Sequence, residues 1–211
     1  MTGRSIKGGA HPARALARAL GAVGALLLCL SILRGCLERT YIGYAASRTR
    51  DLRGGSWPGT VWSYARLRSH DLSHADLRRS VMVDGDFAAC RLVGVRLSDS
   101  ILDDADFAGA DMRRADLRNC WLGCANLGHA NLQGADLSGS DLRSATLTGA
   151  DLRGCNLRRV KFAGQDAIVA DSWIPEARLD GAEVAGAVFD AGTVWPTGYD
   201  PARHGAVRCA R

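Results

Sequence analysis

From Ala65 to Gly164 the chain places a large apolar side chain at every fifth position, without exception. Cut into fives, this stretch is twenty consecutive pentads, among them Ala75-Asp76-Leu77-Arg78-Arg79 and Ala135-Asp136-Leu137-Ser138-Gly139. The third residue is Leu in fifteen pentads, Phe in three and Met in two. The first is small in nearly every pentad, and Asp or Asn fills twelve of the twenty second positions. A period of five suits neither an α-helix nor a simple strand, whose side chains repeat at about 3.6 and 2 residues. It does suit a short strand that turns a corner every five residues. Strand alternation then points residues one and three inward and residue two outward. Positions four and five, rich in Gly, Ser, Arg, Asn and Asp, make the turn. Four such sides close a square coil of about twenty residues, and coils stack at roughly 4.8 Å through backbone hydrogen bonds. The narrow interior of such a coil accounts for large Leu alternating with small Ala.

These pentads resemble the pentapeptide-repeat family, whose motif is Ala-(Asp/Asn)-Leu-x-x. The resemblance covers residues 65–164. It implies an all-β repeat fold, a right-handed quadrilateral β-helix, here of about six coils. Such a fold carries no single function. One role the resemblance brings in is that of a soluble DNA mimic that binds a topoisomerase such as DNA gyrase.

The register breaks at Gln165 and resumes, shifted by two, with Leu179, Val184, Phe189 and Val194 as centres. This reads as a last coil over 177–194, preceded by a twelve-residue inserted loop over 165–176. A loop of that length on a rigid scaffold is a tolerated insertion or a place for a specific contact. Residues 195–211 form a C-terminal cap and tail, in which Trp195, Pro196 and Pro201 would cover the last open rung. Upstream, Leu52, Trp57 and Trp62 keep the spacing of five, so residues 38–64 read as a linker and an irregular N-terminal cap.

The N-terminus has a different character. Residues 1–14 are a basic leader, and Ala19–Leu33 runs fifteen residues without a charge. Extended over 15–37, with Arg18 and Arg34 snorkelling at the ends, a helix there reaches about 35 Å, enough to span a bilayer. The segment is expected to be an uncleaved signal-anchor, because the small residues Gly43-Tyr44-Ala45 lie too far beyond the apolar run for cleavage. A bacterial inner-membrane protein with one span follows, its repeat domain on the outer side. The alternatives are a cleaved, secreted or periplasmic form and a cytoplasmic one. Within the helix, Ala17, Gly21, Ala25 and Cys29 make a small-residue stripe, one route to a homodimer.

Charge separates the function classes. The net charge of +5 belongs to the N-terminal quarter: residues 1–64 hold nine basic groups against two acidic, and residues 65–162 hold fourteen against thirteen. A balanced body argues against nucleic-acid binding. It argues equally against a phosphate mimic, which must copy a dense negative charge. The five His are scattered and no CxxC, HExxH, P-loop or GxSxG motif occurs, so no catalytic site, metal site or cofactor is expected. The chain reads as a non-enzymatic, membrane-anchored structural or interaction scaffold with a protein partner.

Columns are read at steps of twenty. Val81, Ile101 and Trp121 then stack at the outward second position of one face, with Val83 beside them. An apolar stripe of this kind marks a contact. Candidates to cover it are the segment Glu38–Arg50, a second subunit or the membrane surface. A second column, Arg78, Ser98, Arg118, Ser138 and Arg158, shares its face with Asp76, Asp116 and Asp136 and reads as mixed-charge. Cys90, Cys120 and Cys155 hold inward first positions with no disulfide expected among them, Cys124 holds an exposed turn, and His70 reads as a capping residue at the open first coil.

Overall fold

A computed structural model describes residues 50–163 and 177–209. The second residue of each pentad bridges in parallel to the residue twenty positions on. Asp51↔Asp71, Ser56↔Asp76, Val61↔Val81 and Arg66↔Asp86 begin the four faces. The ladder uses both backbone groups of each side: Leu72 N donates to Arg91 O at 2.7 Å and Asp71 N to Arg50 O at 2.8 Å. Each corner is a β-turn closed from first residue back to third, as in Ala75 N to Leu72 O at 3.0 Å. The fifth residue carries the left-handed backbone that this turn demands, with φ of 61° at His74, 54° at Ala89 and 68° at Gly149. That requirement explains why Gly, Asp and His recur at the fifth position.

The interior is a continuous column of third-position side chains. Leu72, Leu92, Leu117 and Leu137 are fully buried, and Phe87 stacks on Phe107 with ring centroids 5.3 Å apart. First positions line the corners of this column. Where Ala gives way to Cys or Ser, the side chain bonds to the carbonyl of a third residue one coil below. Cys90 Sγ lies 2.8 Å from Leu67 O, Cys120 Sγ 3.0 Å from Leu97 O, and Ser140 Oγ 2.6 Å from Leu117 O. Second-position Asp and Asn stay outside and accept from the backbone N–H two residues on, which braces the coming corner. Asp71 Oδ1 takes Ser73 N at 3.0 Å and Asn131 Oδ1 takes Gln133 N at 3.1 Å.

Four features depart from the sequence expectation. First, the regular wall begins at Asp51, three pentads before Ala65, inside the span read as linker and cap. Leu52, Trp57 and Trp62 are ordinary centre residues there. Gly55 makes room for the Trp57 ring, since a Cβ at Gly55 would sit 2.0 Å from it. Trp62 is buried and its Nε1 donates to Thr60 Oγ1 at 2.6 Å. Second, His70 therefore completes a regular coil as a buried wall residue rather than a cap, with Nδ1 3.1 Å from Arg68 O. Third, Val194 is not a centre. It bridges Lys161 at a second position, and Trp195 takes the centre above Phe162. The corner from Asp190 to Thr193 is one residue longer than the others, held by Gly192 N donating to Asp190 Oδ1 at 2.9 Å and Thr193 Oγ1 donating to Leu157 O at 2.7 Å. Fourth, Val83 is buried, 4% exposed, and takes no part in an exposed stripe.

The break itself follows the expected arithmetic. Thr146↔Arg178, Asp151↔Glu183 and Asn156↔Val188 span thirty-two residues, one coil plus twelve. The loop over 165–176 lies outside the described residues. Beyond the last coil, β1 (Val188–Phe189) pairs in parallel with β2 (Val207–Arg208), adding a rung to one face only. Trp195 lies between Phe162 and Tyr199, at 5.0 and 5.2 Å, and Tyr199 stacks on His204 at 4.9 Å. This aromatic pile covers the end of the column, as expected for Trp195. The basic leader, the 15–37 segment and most of the Glu38–Arg50 segment lie outside the described residues, among which no helix is long and apolar enough to cross a membrane.

Candidate interaction surface

Three kinds of outer wall result from what sits at the second position. Where it is Asp followed two residues later by Arg, the pair closes on itself. Arg78 grips Asp76 through Nε and Nη2, both at 2.8 Å, and Arg113, Arg118 and Arg153 do the same to Asp111, Asp116 and Asp151. The guanidinium hydrogen bonds hold these carboxyls below their usual range, with Asp151 down to about 2 through Arg153 and Asp76 lower still through Arg78. The column of Arg78, Ser98, Arg118, Ser138 and Arg158 is therefore locally neutralised along much of its length, in agreement with its mixed-charge reading. Where the second residue is Asn or Asp without Arg, the wall is polar and capped by the backbone.

The third kind, apolar and open to solvent, runs up one column. Val61, Val81, Ile101 and Trp121 follow one another as successive bridge partners, so the stripe expected from Val81, Ile101 and Trp121 is one stack, with Val61 as a further member. Val61 is 72% exposed and Trp121 50%, while Val81 and Ile101 are half-buried between them. The ladder occupies the backbone groups of Val81, Ile101 and Trp121: Trp62 N donates to Val81 O at 2.7 Å, Met82 N to Ile101 O at 2.8 Å and Leu102 N to Trp121 O at 2.7 Å. Along these three rungs the face thus offers side chains and no free strand edge. Tyr64, 56% exposed, stands at the corner beside Val61. Above Trp121 the stack ends at Asp141, which Arg143 grips with Nε at 2.9 Å.

Carboxylates on this side have moved from the middle of the face to its corner. Asp84 and Asp104 hold fifth positions with φ of 56° and 61°, one rung apart. Round that corner stand Asp86 and Asp106, both facing Arg68 at 3.2 and 3.6 Å. The opposite corner is mixed, with Arg79, Asp99 and Asn119 at the fifth positions.

Val61 and Tyr64 escape a reading that starts the register at Ala65. The signal for them was present in the five-residue spacing of Leu52, Trp57 and Trp62. Nothing else gathers into chemistry. Among the described residues no group of three or more His, Cys, Asp or Glu side chains is placed to hold a metal ion. Val93, Arg113, Arg114, Gln133 and Gly134 border an open surface depression rather than an enclosed pocket.

The model of the family described as pentapeptide repeats matches residues 86–119 and 120–159, with eight copies. No curated protein matches the chain significantly. Among solved structures, the fold resembles trypsin-treated QnrB1, a plasmid-mediated fluoroquinolone resistance protein. The identity is 18%, the TM-score 0.52, and the match covers 68% of this chain and 67% of that one. A second similar structure is HetL, involved in heterocyst differentiation regulation, from the cyanobacterium Nostoc sp. strain PCC 7120. It is 27% identical with a TM-score of 0.39, over 70% of this chain and 81% of that one. At such identities the likeness to QnrB1 is one of fold. The unbroken pentads, the four-sided ladder and the family match coincide on the same residues, and this chain is a pentapeptide-repeat protein.

Proposed function

We propose that this chain is a non-enzymatic interaction scaffold, held at a bacterial membrane by residues 15–37 and contacting a protein partner through the column of Val61, Val81, Ile101 and Trp121. The observation that carries the reading is that column. Val81, Ile101 and Trp121 stand on a sheet face whose backbone is committed to the ladder, so exposure there contributes nothing to folding and costs solubility. The uncharged run Ala19–Leu33 with its flanking arginines supports the membrane attachment. A DNA mimic of the kind that binds a topoisomerase would need rows of free carboxylates. Here the aspartates at 51, 76, 111, 116, 141 and 151 are gripped by arginines in their own pentads, which disfavours that role.

Trp121→Asp in the full chain tests the reading. It is expected to change thermal stability, oligomeric state or membrane retention according to what covers the face, with Trp121→Leu close to wild type. If Trp121→Asp leaves all three unchanged and the in-cell cross-linking of the full chain unchanged as well, the column is not a contact surface.

A further inference from the structure

We infer that the apolar column is a seat for an amphipathic α-helix of a partner protein, one that carries Lys or Arg along a single flank. The inference rests on the interaction reading above and names the partner's chemistry. Three observations carry it.

The first is spacing. Val61, Val81, Ile101 and Trp121 sit on successive rungs, about 4.8 Å apart. An α-helix laid along the β-helix axis presents one apolar residue per turn, about every 5.4 Å. Residues at i, i+4, i+7 and i+11 therefore meet four rungs with a mismatch of about 2 Å over the whole length. An extended strand in the same direction shows same-side residues every ~6.7 Å and falls out of step after two rungs. Because the ladder has consumed the backbone groups of Val81, Ile101 and Trp121, strand addition is unavailable along those three rungs.

The second is charge. The column is flanked on one corner by Asp84 and Asp104, with Asp86 and Asp106 behind them. Arg68 faces the rear pair, Asp86 and Asp106, at 3.2 and 3.6 Å. The other corner, with Arg79, Asp99 and Asn119, has no such bias. A helix whose cations line one flank gains on the acidic corner, and its orientation along the column is fixed by that asymmetry. The same carboxylates repel an anionic lipid surface.

The third is size. Four rungs by one short side make a strip of about 200 Å², far below the roughly 800 Å² per partner of a stable dimer. A single helix is the scale of element such a strip accommodates.

The test uses the full-length chain and two synthetic fifteen-residue helical peptides. Both carry photo-reactive leucine at i, i+4, i+7 and i+11; one bears arginines along one flank and its twin bears glutamates there. Cross-links are mapped by mass spectrometry. The arginine peptide is expected to label the rungs from Val61 to Trp121 at least fivefold more than its twin. Asp84→Asn should lower that labelling about threefold and Trp121→Asp should abolish it, with circular dichroism unchanged and Trp121→Leu retaining it. Equal labelling by both peptides overturns the cationic-helix inference and leaves the contact surface standing. If neither peptide labels the face, the inference falls. In that case a mass change in Trp121→Asp assigns the face to a second copy, and new trypsin sensitivity of residues 1–49 assigns it to the chain's own N-terminal segment. No change of either kind removes the contact surface as well.

Discussion

Cysteine at a first position looks in sequence like a small apolar filler, and the structure shows that it is also a donor. Cys90, Cys120 and Cys155 are buried and free, and each points its sulfur at a carbonyl one coil below. Burial pushes their thiols up, Cys90 to about 11 and Cys120 and Cys155 to about 12. The thiolate is the reactive form, so these three should resist a maleimide at pH 7 in the native chain and react once it is unfolded. Cys124, exposed at its corner, should react at once. Peptide mapping after timed labelling checks this, and early modification of Cys120 would contradict the packing described. Ser and Cys are interchangeable here for the same reason: both reach the carbonyl that Ala leaves alone. That equivalence was invisible in the sequence, where Ser80, Ser100 and Ser140 looked only like small residues.

At the scale of one pentad, the second-position carboxylate supports the corner that follows it. Asp151 accepts from Arg153 N at 3.1 Å and is gripped by the Arg153 side chain at 2.9 and 2.6 Å. These bonds lower its carboxyl from the ordinary 3.8 to about 2, with the Arg153 side chain as the chief cause. A carboxyl held below its unfolded value stabilises the folded state above about pH 4, and that contribution fades as pH falls towards 2. Asp151→Asn keeps the acceptor for the backbone and loses the ion pair. It should cost a few tenths to about 1 kcal/mol at pH 7, and the gap to wild type should close between pH 4 and pH 2 in denaturant melts. A gap that persists at pH 2 would show that the pair contributes through packing instead. The pentad's periodicity was fully legible in the sequence because the narrow interior tolerates only one large residue per side. Its ends were less so. Tryptophan at Trp57 and Trp62 looked irregular beside Leu, although Gly55 clears the space one of them needs, and the six-residue side ending at Thr193 hid the role of Trp195 until the aromatic stack was seen.

For the whole molecule, the repeat register is enough to place Val81, Ile101 and Trp121 in one column, since stepping by twenty aligns a square coil. Which neighbours are exposed was not legible, because it depends on how side chains of adjacent rungs lean: Val83 is covered and Tyr64 is not. The anchoring of the chain belongs to this scale too. With Cys124 as the sole cysteine, the full chain expressed in a bacterium should stay with carbonate-washed membranes and react in intact cells with a membrane-impermeant maleimide. Recovery in the soluble fraction would remove the anchor. Retention with labelling only after lysis would put the repeat domain on the inner side.

The four-sided coil also sets rules for how such a gene can change length. Removing one pentad leaves every turn and every buried leucine in a lawful place, yet it turns all that follows by a quarter revolution. Trp121 would leave the stack of Val61, Val81 and Ile101 for the neighbouring wall. Removing twenty residues keeps each wall intact and only shortens it. The twelve extra residues before Ala177 show a third case, in which the chain leaves at a corner and the ladder resumes as if uninterrupted. Length variants in steps of five would therefore scramble a contact surface while preserving the fold, and those in steps of twenty would conserve both. The wall on which an apolar column survives is in this sense a record of phase, kept by whole revolutions.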